Sequence, residues 1–239
     1  MNRSALRNML KVVGIIMVVM LPVMLALWFA QLRAVSEISA QLRTFAELAL
    51  NKTERVIQQV DLAREDAEKY QGKVCTPEHR QYMLNVSRGR LFVADLIYAE
   101  GQSFLCSTLF TPDHPYTIPA ANYTRKPDVA IYYFRDTPFF DGYKMIYMQR
   151  GNYVAVVNPL SYSEVMSDDR SLSWGVYDTV SNAFFSVSQK ANISLLHSML
   201  RHQETTFQKG DRFYTIVKSG QRPIAAIVST SSARFYKTL

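Results

Sequence analysis

The chain has 239 residues, a formal net charge of +7, and 48% hydrophobic against 20% charged residues. This length and composition indicate one sizeable packed domain plus an appendage, and they exclude a largely disordered chain. The basic residues form no compact face and match no nucleic-acid-binding motif, so we expect no nucleic-acid partner. Fourteen Tyr and thirteen Phe favour strands over helices.

Residues 12–30, VVGIIMVVMLPVMLALWFA, contain no charged side chain. A hydrocarbon core ~30 Å thick needs about 20 apolar residues in a helix, which predicts a transmembrane signal anchor over 12–31. A cleaved signal peptide would have a shorter apolar stretch and a small-x-small cleavage site. Because Arg3, Arg7 and Lys11 precede the span, we expect residues 1–11 in the cytoplasm and 32–239 outside it.

The two cysteines, Cys75 and Cys106, would then lie in an oxidising compartment, where a disulfide is expected. Such a bond would close a loop of about 32 residues and stabilise the fold by roughly 3.5 kcal/mol. It is either a purely structural bond or one labile enough to be reduced and reformed, and the spacing does not separate the two. We see no histidine at ligand spacing from the cysteines, and we therefore expect no metal and no cofactor.

Residues 32–70 contain no Gly or Pro and predict one long helix that ends before Gly72. Its apolar residues recur at a spacing of three and four until Lys52 interrupts them: Val35, Ile38, Leu42, Phe45 and Ala49. A coiled coil usually needs a longer repeat. The helix either covers the sheet of its own domain or pairs with its copy in a homodimer through residues 32–70.

A second helix is predicted from Thr76-Pro77-Glu78 to about Ser87. The stretch RLFVADLIYAEGQSFLCSTLF then predicts a β-hairpin with Cys106 on its second strand. The proline-rich residues 111–128 predict a surface loop or, alternatively, a lid.

Six further runs have the composition of strands: VAIYYFR, YKMIYMQRGNYVAVVNP, WGVYDTV, AFFSVS, DRFYTIVKS and PIAAIVST. The second of them contains a hairpin turn at 150–152, and the helix-like SYSEVMSDD interrupts the series. Long helices followed by a mainly antiparallel sheet define an α+β fold with the N-terminal membrane helix running into a long helix on the sheet.

Other chemistry has little support in the sequence. His197 and His202 are five residues apart and do not share a helix face, and Asp168-Asp169 is typical of a turn. No G-x-S-x-G context supports a serine hydrolase. A sensor of this class could bind a small ligand on the sheet, lined by Tyr132, Tyr133, Tyr147 or Tyr153, although the plainer interpretation divides these tyrosines between core and surface.

Leu105-Cys106-Ser107-Thr108 resembles the C-S-S signature of the CSS-motif family, the periplasmic sensor domains of membrane-bound cyclic di-GMP phosphodiesterases of enteric and related bacteria. The context agrees along the whole chain: a membrane helix, a long helix, Cys75 before a short helix, and an Ala-Glu-Gly turn leading to Cys106. Thr108 stands where the family has a second Ser and keeps the hydroxyl.

The resemblance implies a sensor-like (PAS/PDC-like) domain at the bacterial inner membrane whose Cys75–Cys106 pair is a redox disulfide. In the family, the oxidised form is less active, and the reduced form is more active and more readily proteolysed. Expected partners are therefore the inner membrane, the periplasmic thiol–disulfide oxidation machinery and periplasmic proteases.

Family members continue into a second membrane helix and a cytoplasmic EAL phosphodiesterase domain, of which we find no motif in this sequence. We therefore expect a regulatory role and no catalytic residues in this chain. The alternative hypothesis is a periplasmic ligand-binding sensor module whose disulfide is purely structural.

Overall fold

The three-dimensional description rests on a computed structural model. It describes these residues: 3–109, 114–118, 120–121, 123–125, 129–135, 145–163, 172–180, 183–187 and 206–233.

The first helix, α1 (Arg3–Ala67), is continuous over 65 residues and about 98 Å long at 1.5 Å per residue. Pro22 lies inside it, in the predicted membrane segment. Among the described residues, this is the one helix long and apolar enough to cross a membrane, and none of its apolar window is buried against the rest of the chain. The helix therefore leaves the apolar segment and enters the folded part without a break.

From Leu42 onward α1 buries one stripe of side chains against the folded part. The stripe repeats at three and four residues, as one face of a helix does, and it comprises Leu42, Ala46, Ala49, Leu50, Thr53, Val56, Ile57, Val60, Ala63, Arg64 and Ala67. Val35, Ile38 and Phe45 pack half-buried against the same core. The prediction that this helix covers its own domain is thus confirmed. Lys52, which interrupts the apolar repeat, places Nζ 4.5 Å from the centroid of the Phe92 ring.

The first sheet has seven strands, all in antiparallel pairs. They are β1 (Asp95–Glu100), β2 (Ser103–Ser107), β3 (Tyr116–Thr117), β4 (Tyr123–Arg125), β5 (Val129–Arg135), β6 (Met145–Arg150) and β7 (Tyr153–Val157), in the order β3-β2-β1-β7-β6-β5-β4. The second helix, α2 (Pro77–Arg88), and the last turns of α1 cover one face of this sheet. A separate apolar cluster lies on the other face.

The second sheet has five strands in antiparallel pairs. They are β8 (Ser173–Asp178), β9 (Ala183–Val187), β10 (Thr206–Lys209), β11 (Arg212–Lys218) and β12 (Ile224–Ser231), in the order β10-β11-β12-β8-β9. The buried stripe of α1 packs on β11 and β12. A short helix, α3 (Leu160–Ser163), precedes this sheet and contacts α1.

The α+β fold and most predicted elements are confirmed. The turns of the β1–β2 and β6–β7 hairpins carry Gly101 and Gly151 at φ 62° and 54°, conformations that glycine adopts without a steric penalty. The prediction of a plain loop over 111–128 is wrong at β3 and β4, which extend the sheet at its two edges, and β10 was not predicted. Of SYSEVMSDD, the described part is helical at residues 161–163; the remainder lies outside the described residues.

Candidate redox site

A disulfide joins Cys75, in the loop before α2, to Cys106 on β2 of the seven-stranded sheet. The S–S distance is 2.06 Å and the two Cα atoms are 5.6 Å apart. Cys106 is fully buried and Cys75 is half-buried. Cys75 has φ 57°, a left-handed conformation that costs a non-glycine residue roughly 1–2 kcal/mol.

The start of α2 determines what lies next to this bond. Thr76 is the N-cap, its hydroxyl accepting a hydrogen bond from the backbone N–H of His79 at 3.3 Å, and Pro77 occupies the first turn. Glu78 adds a negative charge at the positive end of the helix. This capping arrangement places His79 on the first turn of α2, on the side of Cys75.

His79 is fully buried beside the disulfide. Its Nδ1 accepts a hydrogen bond from the backbone N–H of Cys75 at 3.0 Å, and its Nε2 lies 3.0 Å from the hydroxyl oxygen of Tyr153. Because Nδ1 accepts, the proton of the neutral ring is on Nε2, which donates to Tyr153. Burial lowers the pKa of His79. Burial also raises the pKa of Tyr153 to about 12, so both groups are uncharged at neutral pH.

Aromatic rings surround the histidine. The ring centroids of Tyr70, Tyr98 and Tyr153 lie 4.6, 5.4 and 5.9 Å from that of His79. These rings exclude water from one side of the site, and desolvation disfavours the charged imidazolium. The disulfide therefore lies beside one buried, neutral base.

The two residues that follow Cys106 lie beside the buried carboxylate of Asp95. Thr108 donates two hydrogen bonds to Oδ1 of Asp95, one from its backbone N–H at 3.1 Å and one from its hydroxyl. Burial raises the pKa of Asp95, and the Thr108 hydroxyl counteracts that rise. The hydroxyl of Ser107 accepts a hydrogen bond from the backbone N–H of Leu109 at 3.0 Å. The hydroxyl at the third motif position thus has a structural task that Thr and Ser can both perform.

Polar contacts connect the site to α1. Arg80 of α2 donates to the backbone carbonyl of Ser107 at 3.3 Å. Asp66 of α1 accepts from Arg90, just after α2, and its backbone carbonyl accepts from Tyr82 of α2 at 2.8 Å. Hydrogen bonds from Lys69 and then Arg90 lower the pKa of Asp66, which therefore stays ionised. The disulfide lies at one end of α2, and α1 holds the other end.

The structure brings the predicted residues Cys75, Cys106, Ser107 and Thr108 together and adds a residue that sequence reasoning missed. One ligand atom each from Cys75, His79 and Cys106 lies within 4.8 Å of the other two. The statement that no histidine accompanies the cysteines at ligand spacing is therefore wrong for His79. The spacing Cys75-x₃-His79, with Pro77 starting a helix between them, was the available signal.

Of the remaining candidates, Tyr153 is the one that contacts this site among the described residues. Tyr147 belongs to the apolar cluster on the opposite face of the sheet, whereas Tyr153 faces His79. Tyr132 and Tyr133 lie on β5, but their side chains are outside the described residues, as are 168–169, His197 and His202.

Solved structures share this fold at very low sequence identity. The extracellular domain of the histidine kinase rpHK1S-Z16 matches with a TM-score of 0.56 at 7% identity, over 85% of this chain and 95% of that one. A domain of a sensory box/GGDEF family protein from Vibrio parahaemolyticus matches with 0.51 at 11% identity, over 87% and 99%. The sensory domain of the Campylobacter jejuni chemoreceptor Tlp3 matches with 0.51 at 8%, over 87% and 99%. The chain thus has an α+β sensor-domain fold.

Residues 39–239 match the family described as the CSS motif domain associated with EAL, and the chain belongs to that family. A curated relative, the probable cyclic di-GMP phosphodiesterase PdeB of Escherichia coli strain K12, is 24% identical over 152 residues. That match covers 64% of this chain and 30% of PdeB. The chain is thus similar to less than a third of the length of that relative.

Proposed function

We propose that this chain is the periplasmic redox-sensing part of a cyclic di-GMP phosphodiesterase system, with Cys75–Cys106 as the regulated bond. In this proposal residues 12–31 anchor it in the inner membrane, residues 1–11 are cytoplasmic, and 32–239 form the sensor. One observation carries it: a disulfide next to a buried neutral histidine connects the start of α2 to β2, while α1 holds the end of α2.

Reduction would begin at the less buried of the two cysteines. A thiolate of a dithiol reductant attacks Sγ of half-buried Cys75, the Cys75–Cys106 bond breaks, and its electron pair leaves on Cys106. The second thiol of the reductant then displaces Cys75, which leaves two protein thiols and one oxidised reductant. Once free, Cys75 can leave its left-handed conformation, so the backbone penalty at φ 57° favours opening of the bond.

The route from the bond to the membrane is short. Without the disulfide, the loop before α2 is held to β2 by weaker contacts, and α2 can shift relative to the seven-stranded sheet. Asp66 ties α2 and its following loop to α1, which continues to the apolar segment. We propose that a shift of α2 passes along α1 in this way.

The expected partners follow from the same bond. Periplasmic oxidation machinery would form the disulfide. After reduction, the chain between Cys75 and Cys106 would be less constrained and more susceptible to proteases. A homodimer through residues 32–70 would use the surfaces of α1 that remain exposed, such as Gln41 and Leu48. The sensor function includes no catalysis in this chain.

The test is the redox potential of the bond in the full chain in membranes. The fraction of free thiols, measured by alkylation across graded dithiol/disulfide buffers, is expected to show a midpoint above about −300 mV. The Cys75→Ser/Cys106→Ser variant serves as the zero-thiol reference. A midpoint below that value would mark a structural bond and reject the redox-sensing role.

The second candidate function is a ligand-binding sensor with a structural disulfide. It draws support from the apolar cluster on the sheet face away from α1, which contains Phe104, Ile118 and Tyr147. A Tlp3 sensory domain of similar fold has been solved with L-valine. A screen of amino acids by thermal shift tests it: stabilisation that is equal in the oxidised and reduced protein favours this candidate.

A further inference from the structure

The disulfide and His79 form a cluster of potential metal ligands. Two sulfur atoms and one imidazole nitrogen lie within 4.8 Å of each other. Thiolates and imidazole are the preferred ligands of zinc-class cations. In the oxidised state both sulfurs are engaged in the disulfide and offer no thiolate, so any such site exists in the reduced state.

We propose that, once the disulfide is reduced, the thiolates of Cys75 and Cys106 and the imidazole of His79 bind one Zn²⁺-class cation. Binding releases two thiol protons and forms two metal–sulfur bonds and one metal–nitrogen bond. A water molecule completes the coordination on the half-buried side of Cys75. The inference deepens the proposed function, on which it rests for its physiological relevance.

The required movement is small. Tetrahedral coordination with Zn–S of about 2.3 Å and Zn–N of about 2.0 Å places the two sulfurs about 3.8 Å apart and each about 3.5 Å from the nitrogen. On reduction and cation binding, the distance between the two sulfurs therefore increases by less than the diameter of a methyl group. Cys75 lies in a loop and can supply this movement, whereas Cys106 is held on β2.

The histidine is oriented as a ligand. Its Nδ1 lone pair points toward Cys75 and accepts the backbone N–H of that residue, so cation binding exchanges this hydrogen bond for the metal–nitrogen bond. Its Nε2–H donates to Tyr153, which fixes the tautomer and the ring orientation. Metal-bound histidines usually donate a hydrogen bond from their other ring N–H in this way. Loss of the group that accepts this hydrogen bond typically weakens metal binding 10–100-fold.

A cation at this site would link two signals. It binds the thiols and not the disulfide, so it opposes reoxidation. At a free ion concentration 100 times Kd, the ratio of reduced to oxidised protein rises about 100-fold. The domain would then report thiol redox state and zinc-class ions together.

The test uses the full chain in detergent, reduced with a phosphine, desalted without oxygen, and titrated with Co²⁺ as a spectroscopic substitute for Zn²⁺. We expect one Co²⁺ per chain, with thiolate-to-cobalt absorption that Zn²⁺ abolishes, and no such signal from the oxidised chain. His79→Ala should weaken binding at least about 100-fold, as expected when a direct ligand is lost. The matched variant His114→Ala, which removes an exposed histidine, should change nothing.

If His79→Ala fails to fold, the Tyr153→Phe variant tests the proposal in its place. Its affinity for Co²⁺ should be lower than that of wild type by at least about tenfold. Three results would each overturn the proposal: no cobalt–thiolate signal in the reduced chain, equal binding by oxidised and reduced chain, or unchanged affinity of the folded His79 or Tyr153 variant. Because the phosphine reduces the bond whatever its potential, binding together with a midpoint below −300 mV would reject the proposed redox sensing and keep the site.

Discussion

The two sheets share one long helix but are attached to it by different means. The five-stranded sheet lies directly on the apolar stripe of α1, which packs on β11 and β12. The seven-stranded sheet meets α1 at β7, and α2 covers β1 and β2, with a disulfide at one end of α2. Both attachments depend on buried apolar area, which no redox change affects, and the second also includes a bond that a reductant can open. In the proposed function, the sheet with the disulfide is the part of the domain that responds to a reductant.

The largest effect is expected from removing the disulfide. The Cys75→Ser/Cys106→Ser variant should lose roughly 3.5 kcal/mol of unfolding free energy in urea, because a cross-link 31 residues apart no longer restricts the unfolded chain. Hydrogen exchange should quicken in α2, β1 and β2 and stay unchanged in β11 and β12. Reduced wild type is the control and should match the variant, whereas a uniform increase over both sheets would contradict the comparison.

An ion pair between a buried arginine and a partly exposed aspartate is expected to affect both sheets at once. Arg64 is 1% exposed, contacts Asp61, and donates to the carbonyl of Met148 on β6 at 3.4 Å. Asp61 also accepts from Arg222, beside β12, at 3.1 Å. Asp61→Ala should lower the free energy of unfolding by about 3 kcal/mol, because it leaves a buried guanidinium without its partner.

The exposed pair Arg43–Glu47 on the same helix provides the matched control. Glu47→Ala removes an i,i+4 ion pair in solvent and should cost no more than about 0.5 kcal/mol. Equal losses in the two variants, or faster hydrogen exchange in one sheet alone for Asp61→Ala, would show that Asp61 does not join the two attachments.

The motif hydroxyl gives the next effect. Thr108→Val keeps the shape of the side chain but removes the hydroxyl that donates to buried Asp95, and should cost about 2 kcal/mol. Thr108→Ser keeps the donor and should stay within about 0.5 kcal/mol of wild type. If Val and Ser variants unfold at the same urea concentration, the hydroxyl has no structural role at this position.

The sequence could predict the elements that local chemistry determines. Thr76 and Pro77 mark the start of α2, and glycines 101 and 151 mark hairpin turns, because caps and left-handed turns depend on a few adjacent residues. The stripe on α1 follows from its period. The strands β3 and β4 could not be predicted, since two or three residues at a sheet edge are ordered by their neighbours and carry little propensity of their own.

The site was only partly predictable for a related reason. The cysteines and the hydroxyls that follow Cys106 are visible as a motif, but their partners come from distant parts of the chain. Tyr153 is 74 residues from His79, and Met148 is 84 residues from Arg64. Neither contact produces a periodic pattern in the sequence. The buried arginine in the apolar stripe and the histidine among tyrosines are therefore recognised only in the folded chain.

The smallest effect concerns the pH dependence of the disulfide-bearing region. Burial lowers the pKa of His79, so the unfolded chain takes up a proton at a higher pH than the folded one. The stability that the neutral histidine confers is thus complete above the unfolded pKa of about 6.5 and is lost as the pH falls toward the folded pKa. Urea midpoints of wild type should drop between pH 7.5 and 5 more than those of His79→Gln, while exposed His114→Gln should follow wild type. Parallel curves for wild type and His79→Gln would mean that the imidazole is protonated as readily in the folded chain as in the unfolded chain. The tyrosine rings around His79 would then not exclude water from it.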